Sequence, residues 1–295
     1  MYFNQLKNAA ALLVAMLLVA CGSGNQTEKT ASSEFDQVKE KVAIDFKKIM
    51  EDLPPPSKVP YLLLEASSNF DPDFVHTTDS IEKYQSSFES AAFNLGIYSS
   101  DIAYLVSHDA TDKAIDMMGE CQKLAGAVGL SHVIDYELVA RFERNIENRD
   151  SVAAITDEVM EKSGEKLVEL DHLDGFVLLL AGKWIEGLYL ANSIVQSYPE
   201  DMPDEERVGL MTPLLKIVLD QEESLDRILG IIDSMPESEN LKTAKANLEE
   251  IKKNYGALEE VDTAIHGFTD TYVLRPSAIS EFAAVVKKIR SQIIS

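Results

Sequence analysis

Apolar residues recur every third or fourth position along most of this chain, and no stretch alternates convincingly with period two. That spacing is the signature of amphipathic helices, whose apolar stripe faces a core. Phe35, Val38, Val42 and Ile49 predict a first helix, closed by Pro54-Pro55-Pro56. A short apolar piece, Val59 to Leu64, follows, and Asp71-Pro72 signals a turn. Asp79 with Glu82 three residues later suits a capping box for the next helix, expected over about 81–107 with Phe88, Ala92, Leu95, Ile102 and Val106 on one stripe. Ala114, Met117, Cys121, Leu124 and Val128 mark another, started by Asp109 or Thr111 and stopped by Gly129. Leu138, Phe142 and Ile146 predict a shorter helix. After a turn at Asn148-Arg149-Asp150, Val152, Ile155 and Val159 open one that runs to about Leu170. Val208, Met211, Leu215, Val218, Leu225, Leu229 and Ile232 continue the pattern, with a kink expected at Pro213. The stripes Leu241 to Leu258 and Ile279 to Ile293 predict an antiparallel hairpin over about 238–295, joined near 269–276. The expected fold class is all-α: a bundle of about nine to eleven helices joined mostly by short loops.

The segment 176–198 departs from the amphipathic rule. It is apolar on most sides and carries Ala181, Gly182, Gly187 and Ala191. A helix apolar all round is a buried one. Glycine inside a helix costs ~1 kcal/mol relative to alanine, so it calls for a packing reason, here the close approach of a neighbour. Lys183, Glu186 and Asn192 argue against a membrane span, because charge at the centre of a span is expensive. The expected neighbour is helix 81–107, which also sets a glycine near an aromatic: Gly96 with Tyr98, against Gly182 with Trp184.

The N-terminus follows a different logic. Lys7 precedes an apolar run from Ala9 to Ala20, which ends Leu18-Val19-Ala20-Cys21. A charged start, a short apolar run and small residues make a secretory signal, and the run is too short for a span of ~20 residues. With cysteine at its end it is similar to the lipobox of bacterial lipoproteins. In that class the cysteine thiol receives a diacylglyceryl group, the chain is cut before the cysteine, and the new amine is often acylated. One acyl chain binds membrane only marginally, and two or more hold firmly. The expected organisation is a signal peptide over 1–20, a flexible tether over 21–33 without large apolar residues, and a single helical domain over 34–295.

Among 295 residues, 50 acids against 27 basic side chains leave a net charge of −23. Such a surface repels phosphate backbones, so nucleic acid is an unexpected partner. Two cysteines are present, and lipidation of Cys21 leaves Cys121 without a partner. The fold must then stand without a disulfide, with Cys121 as a small buried hydrophobe.

Val59-Pro60-Tyr61-Leu62-Leu63, Asn94-Leu95-Gly96-Ile97-Tyr98 with Asp101 and Tyr104, and Gly182-Lys183-Trp184-Ile185-Glu186-Gly187-Leu188-Tyr189 stand together with the lipobox. On these pieces the chain resembles an uncharacterised group of all-helical lipoproteins of Bacteroidota. The resemblance implies envelope placement and brings no activity with it. Surface-exported lipoproteins of such bacteria tend to carry acids just after the cysteine. The neutral run Gly22 to Thr27 therefore favours an outer-membrane anchor facing the periplasm.

Motifs for common chemistries are missing. The sequence holds no phosphate-binding glycine loop, no His-Glu-x-x-His, no Cys-x-x-Cys and no Gly-x-Ser-x-Gly. Glu169 with His172 makes one Glu-x-x-His, where a di-iron bundle needs two and further glutamates. Asp73 with His76, beside a proline turn, is the nearest second candidate, and no metal or cofactor is expected. Met117, Met118 and Cys121 read as core. The informative residues are Asp101 and Glu186, each on an apolar face with a tyrosine three residues later, Tyr104 and Tyr189. Acids so placed need hydrogen-bonded partners or a raised pKa. One reading is a ligand pocket lined by Tyr98, Asp101, Tyr104, Trp184, Glu186 and Tyr189. The other, favoured here, is a structural network in which tyrosine hydroxyls and Lys183 satisfy the acids. The expected function is a periplasm-facing lipoprotein, held to the membrane through Cys21, that binds a partner protein or small ligand without catalysis. The alternatives are an enzyme using Asp101 or Glu186 as acid or base, and a tetratricopeptide-like scaffold.

Overall fold

The computed structural model describes residues 70–199, 201–266 and 276–294, with Ile44 alone before them. All of these fall in one compact unit, Ala43–Ser295. The lipobox, the tether, the proline run and the piece 59–64 lie outside the described residues. So does the helix expected from Phe35, of which only Ile44, helical and exposed, is described.

The fold is all-α, with no strand among the described residues. Its longer helices are α1 Phe88–Ser107, α2 Thr111–Ala127, α3 Tyr136–Asn145, α4 Arg149–Glu169, α5 Leu173–Ser197, α6 Asp204–Ser234, α7 Glu239–Asn254, α8 Glu259–His266 and α9 Ser280–Ile294. Side-chain caps set four of the starts. Ser87, Asp135, Asn148 and Ser238 each accept the amide three residues on, closing α1, α3, α4 and α7. Gly129, with φ +78, ends α2 as expected.

Three expectations change. The helix foreseen over 81–107 is broken: a single turn, Ile81–Tyr84, stops before Ser87 and α1 begins at Phe88. Ser87 is extended, at φ −141 and ψ 151, so its hydroxyl caps α1 and excludes it from a continuous helix. Asp79 sits in a 3-10 turn, Thr78–Ser80, and caps no helix. The stripe that ends at Leu258 is also interrupted, by a 3-10 turn over Tyr255–Leu258 after α7. The C-terminal hairpin nevertheless forms, because α7 packs on α9 and Lys288 reaches Glu250 at 3.0 Å. Pro213 lies within α6, which continues on both sides of it.

Helix α5 is the axis. Its residues are buried on nearly every side, and α1, α4, α6, α7 and α9 all pack against it. The tightest crossing is with α1, through the two glycines. A Cβ on Gly96 would run into the Leu179 carbonyl, and one on Gly182 into the Phe93 carbonyl. No side chain of any rotamer fits there, so backbone meets backbone. No helix among the described residues is long and apolar enough to cross a membrane.

Candidate functional site

Two faces of this crossing carry buried charge. On the first, Asp101 of α1 and Glu186 of α5 come together, both 0% exposed. A third side chain meets them from the far end of the chain. Arg290 of α9 donates from Nε to Glu186 Oε2 at 2.7 Å and from Nη2 to Oε1 at 2.8 Å. Its guanidinium lies 4.0 Å from the Tyr189 ring centre, so the cation also rests on an aromatic face. Two parallel N–H···O bonds to one carboxylate are among the stronger hydrogen bonds available.

The fourth member comes from the segment before α1, a strap over residues 70–77. His76 Nδ1 lies 2.8 Å from Arg290 Nη2 and 3.1 Å from Asp101 Oδ2, and the His76 amide donates to the same Oδ2 at 3.1 Å. The strap is held by its main chain as well as by the rings of Phe70 and Phe74, which lie 5.9 and 6.1 Å from that of Tyr104. The Asp71 amide donates to the Tyr104 hydroxyl at 3.0 Å, Arg290 donates to the Phe74 carbonyl at 3.1 Å, and the Tyr98 hydroxyl donates to the Thr77 carbonyl at 2.8 Å. A stretch with little helix of its own would leave these groups unsatisfied when buried. Side chains from α1 and α9 supply the partners.

Protonation follows from the geometry. Arginine keeps its protons, so the N–H aimed at His76 Nδ1 requires a lone pair there. The imidazole is then neutral, with its proton on Nε2. Burial drives His76 to about 4, with Arg290 adding to the effect and Glu186 opposing it. Burial pushes Asp101 upward, and it pushes Glu186 upward with the Asp101 charge adding to the effect. Arg290 pulls both back. Its bidentate hold keeps Glu186 the anion, so below about pH 6 the shared proton rests on Asp101. The proton also relieves the contact between Asp101 Oδ2 and the Nδ1 lone pair. In that state one cation, one anion and two neutral groups make the cluster electrically balanced, and above about pH 6 the Asp101 charge is added to it.

His76, Asp101 and Glu186 bring ligand-type atoms within 4.8 Å of one another. Arg290 Nη2 already bonds two of those atoms, His76 Nδ1 and Glu186 Oε1, so the guanidinium stands where a metal ion would have to sit. The cluster has its own cation.

Of the six residues expected to line a pocket, Asp101, Glu186 and Tyr189 converge. Tyr98 touches the edge through its ring, 5.8 Å from that of His76. Tyr104 turns its hydroxyl to the strap. Trp184 is buried without a hydrogen-bond partner for Nε1 among the described residues. The tyrosines therefore do not satisfy the acids, and neither does Lys183, contrary to the expected network. Arg290 and His76 do, and sequence reasoning missed both in that role. His76 stood out only as half of an Asp-x-x-His beside a turn, and Arg290 as one cation on a terminal helix.

The second face holds Lys183, three residues before Glu186. Its carbonyl accepts the Ser100 hydroxyl at 3.0 Å, which ties the backbone to α1. Its Nζ is buried and finds no hydrogen-bond partner among the described residues. Burial holds Lys183 down to about 8, with Asp157 of α4 opposing. Asp157 Oδ1 is likewise buried and unpartnered, and burial pushes Asp157 up.

Comparison with protein-family models, with curated proteins and with solved structures finds no match for this chain.

Proposed function

We propose that this chain is a bacterial envelope lipoprotein, anchored through Cys21 in the outer membrane and facing the periplasm, whose helical domain binds a partner protein or small ligand and performs no catalysis at the Asp101–Glu186 cluster. The observation that carries the anchor is Leu18-Val19-Ala20-Cys21 at the end of a short apolar run, followed by a tether of small and polar residues. The neutral residues after the cysteine support the periplasmic side.

The closed cluster supports binding over catalysis. A general acid or base must reach the proton it moves within ~3 Å or through one water. Asp101 and Glu186 are spent on Arg290 and on the strap, with no exposure to solvent. Their work is to hold α1, α5, α9 and the strap in register. Binding then falls to other surfaces of the domain. The net charge of −23 disfavours nucleic acid there.

Membrane fractionation tests the anchor. Cys21→Ala should move the protein from the membrane to the soluble fraction, and unchanged partition overturns it. Native purification followed by mass spectrometry tests the binding half. A partner or ligand retained by wild type should also be retained by Asp101→Asn, and its loss from a stably folded variant returns the cluster to the binding site.

A further inference from the structure

Met118 and Cys121 are buried, as the sequence leads one to expect of core residues. The structure adds what stands beside them. A cavity of about 20 Å³ lies between α1, α2, α4 and α5, and its wall includes Met118 and Cys121 of α2 and Met160 of α4. Residues three apart on a helix share a face, so the two α2 side chains meet the cavity from one side. One thiol and two thioethers, from two helices, thus border one small space. The cavity is not sealed, since Ser99 in its wall is partly exposed.

The guest that suits this space is constrained. A cavity of ~10–15 Å³ already holds one water, so the occupant is about the size of a single atom. Water itself is poorly served, because it wants about two to four polar partners. The wall is almost wholly apolar. Of its hydroxyls, Ser99 donates to the Gly96 carbonyl at 2.6 Å and Thr156 to the Val152 carbonyl at 2.9 Å. Ser163, 1% exposed, is left without a partner among the described residues. Sulfur is the donor this wall has to offer, and thiolate with thioethers selects soft Cu(I) over harder ions.

We propose that Cys121, Met118 and Met160 form a site for one cuprous ion. The copper–sulfur bond to Cys121 forms as the S–H bond breaks, and the proton leaves to solvent. Each methionine sulfur gives a lone pair and loses nothing. No electron is transferred. Charge agrees with the surroundings: one Cu(I) with one thiolate is neutral, whereas a divalent ion would leave net charge in an apolar wall. The empty site is neutral too, because burial holds the Cys121 thiol in its protonated form. Once ionised, the sulfur is a stronger acceptor, and the Ser163 hydroxyl is a donor still to be used. This inference goes beyond the proposed binding of a partner or small ligand and does not depend on where the chain is anchored.

The test uses the full-length chain carrying Cys21→Ala, in which Cys121 is the one thiol. In detergent under nitrogen it competes with the coloured chelator bicinchoninate for Cu(I), and loss of colour reads the transfer. One cuprous ion per chain should move to the protein, and copper X-ray absorption should show sulfur neighbours alone. Adding Cys121→Ala should weaken binding at least about 100-fold, because the anionic ligand is gone. Met118→Leu and Met160→Leu should each weaken it about tenfold, since leucine fills a similar volume without a donor. Circular dichroism checks that each variant keeps its helices, and if Cys121→Ala folds poorly the methionine variants decide. Copper that stays with the chelator overturns the proposal, and so does undiminished binding by a folded Cys121→Ala variant. Wild-type affinity in both methionine variants would mean that the thiol acts alone, which overturns the three-sulfur site.

Discussion

Glu186 and Lys183 lie less than one turn apart on the same helix and differ in what surrounds them. Around Glu186 the charges are paired, both carboxylate oxygens held by a bidentate arginine that also meets a neutral imidazole, although His76 Nε2 and Asp101 Oδ1 find no partner among the described residues. Around Lys183 the complement is present but out of reach, and both Nζ and Asp157 Oδ1 stay unpartnered. Buried charge that is paired holds elements together, and removing one partner strands the other. Buried charge that is unpaired subtracts from stability, so removing it costs little or nothing. The same substitution, a long cation to methionine, should therefore have opposite signs at the two places.

Arg290→Met should show the largest effect. It leaves Glu186 and Asp101 without a cation and frees the Phe74 carbonyl, and a loss of ~3–5 kcal/mol is expected. Denaturant unfolding measures it. Arg290→Lys should recover only part, because an ammonium cannot hold both carboxylate oxygens in a plane. A loss below ~1 kcal/mol for the methionine variant would abolish the contrast, since surface pairs are worth that little.

Gly182→Leu probes the crossing that both faces share. The new side chain has to displace the Phe93 carbonyl, so the cost should be ~1–3 kcal/mol or more by the same measurement. An unchanged unfolding midpoint would mean that α1 and α5 can separate freely.

Asp101→Asn sharpens the protonation argument, because asparagine copies the protonated acid. A carboxyl raised in the fold stabilises most below its unfolded pKa and loses that contribution as pH rises through its folded value, here about 6. The variant should match wild type near pH 4 and exceed it by ~1–3 kcal/mol at pH 8. A variant less stable than wild type at pH 8 would place the shared proton elsewhere. His76, neutral in the fold and held down to about 4, acts in the other direction: its contribution is complete above ~6.5 and lost as pH falls toward 4.

The smallest effect belongs to Lys183→Met. Methionine keeps the stem and drops the unpaired charge, so stability should be equal or higher by ~1 kcal/mol at pH 7. A base whose pKa is depressed in the fold loses stability as pH falls below its unfolded value, so the gain should shrink to nothing above pH ~10.5. A loss of several kcal/mol at pH 7 would show that Lys183 has a partner after all.

The helical class, the buried axis and the close crossing were all readable in order of residues. Period 3.6 is a local property, and Gly96 and Gly182 announce themselves because an interior glycine in a helix demands a reason. Asp101 and Glu186 were readable as anomalies for the same cause: an acid on an apolar face needs a partner wherever it ends up. Which partner could not be read. Arg290 lies 104 residues beyond Glu186, and His76 lies 25 before Asp101, on a strap whose amide and carbonyls look the same in every sequence. The neighbouring tyrosines pointed to the wrong answer, since helical spacing says which residues share a face and says nothing of what the opposite helix presents. Lys183 was misassigned to the acids for that reason too: three residues turn it toward α4, away from α9. Sequence determined which groups would be buried and in need of pairing. Tertiary structure alone decided which pairs closed and which stayed open, because pairing depends on distances between segments that no local pattern encodes.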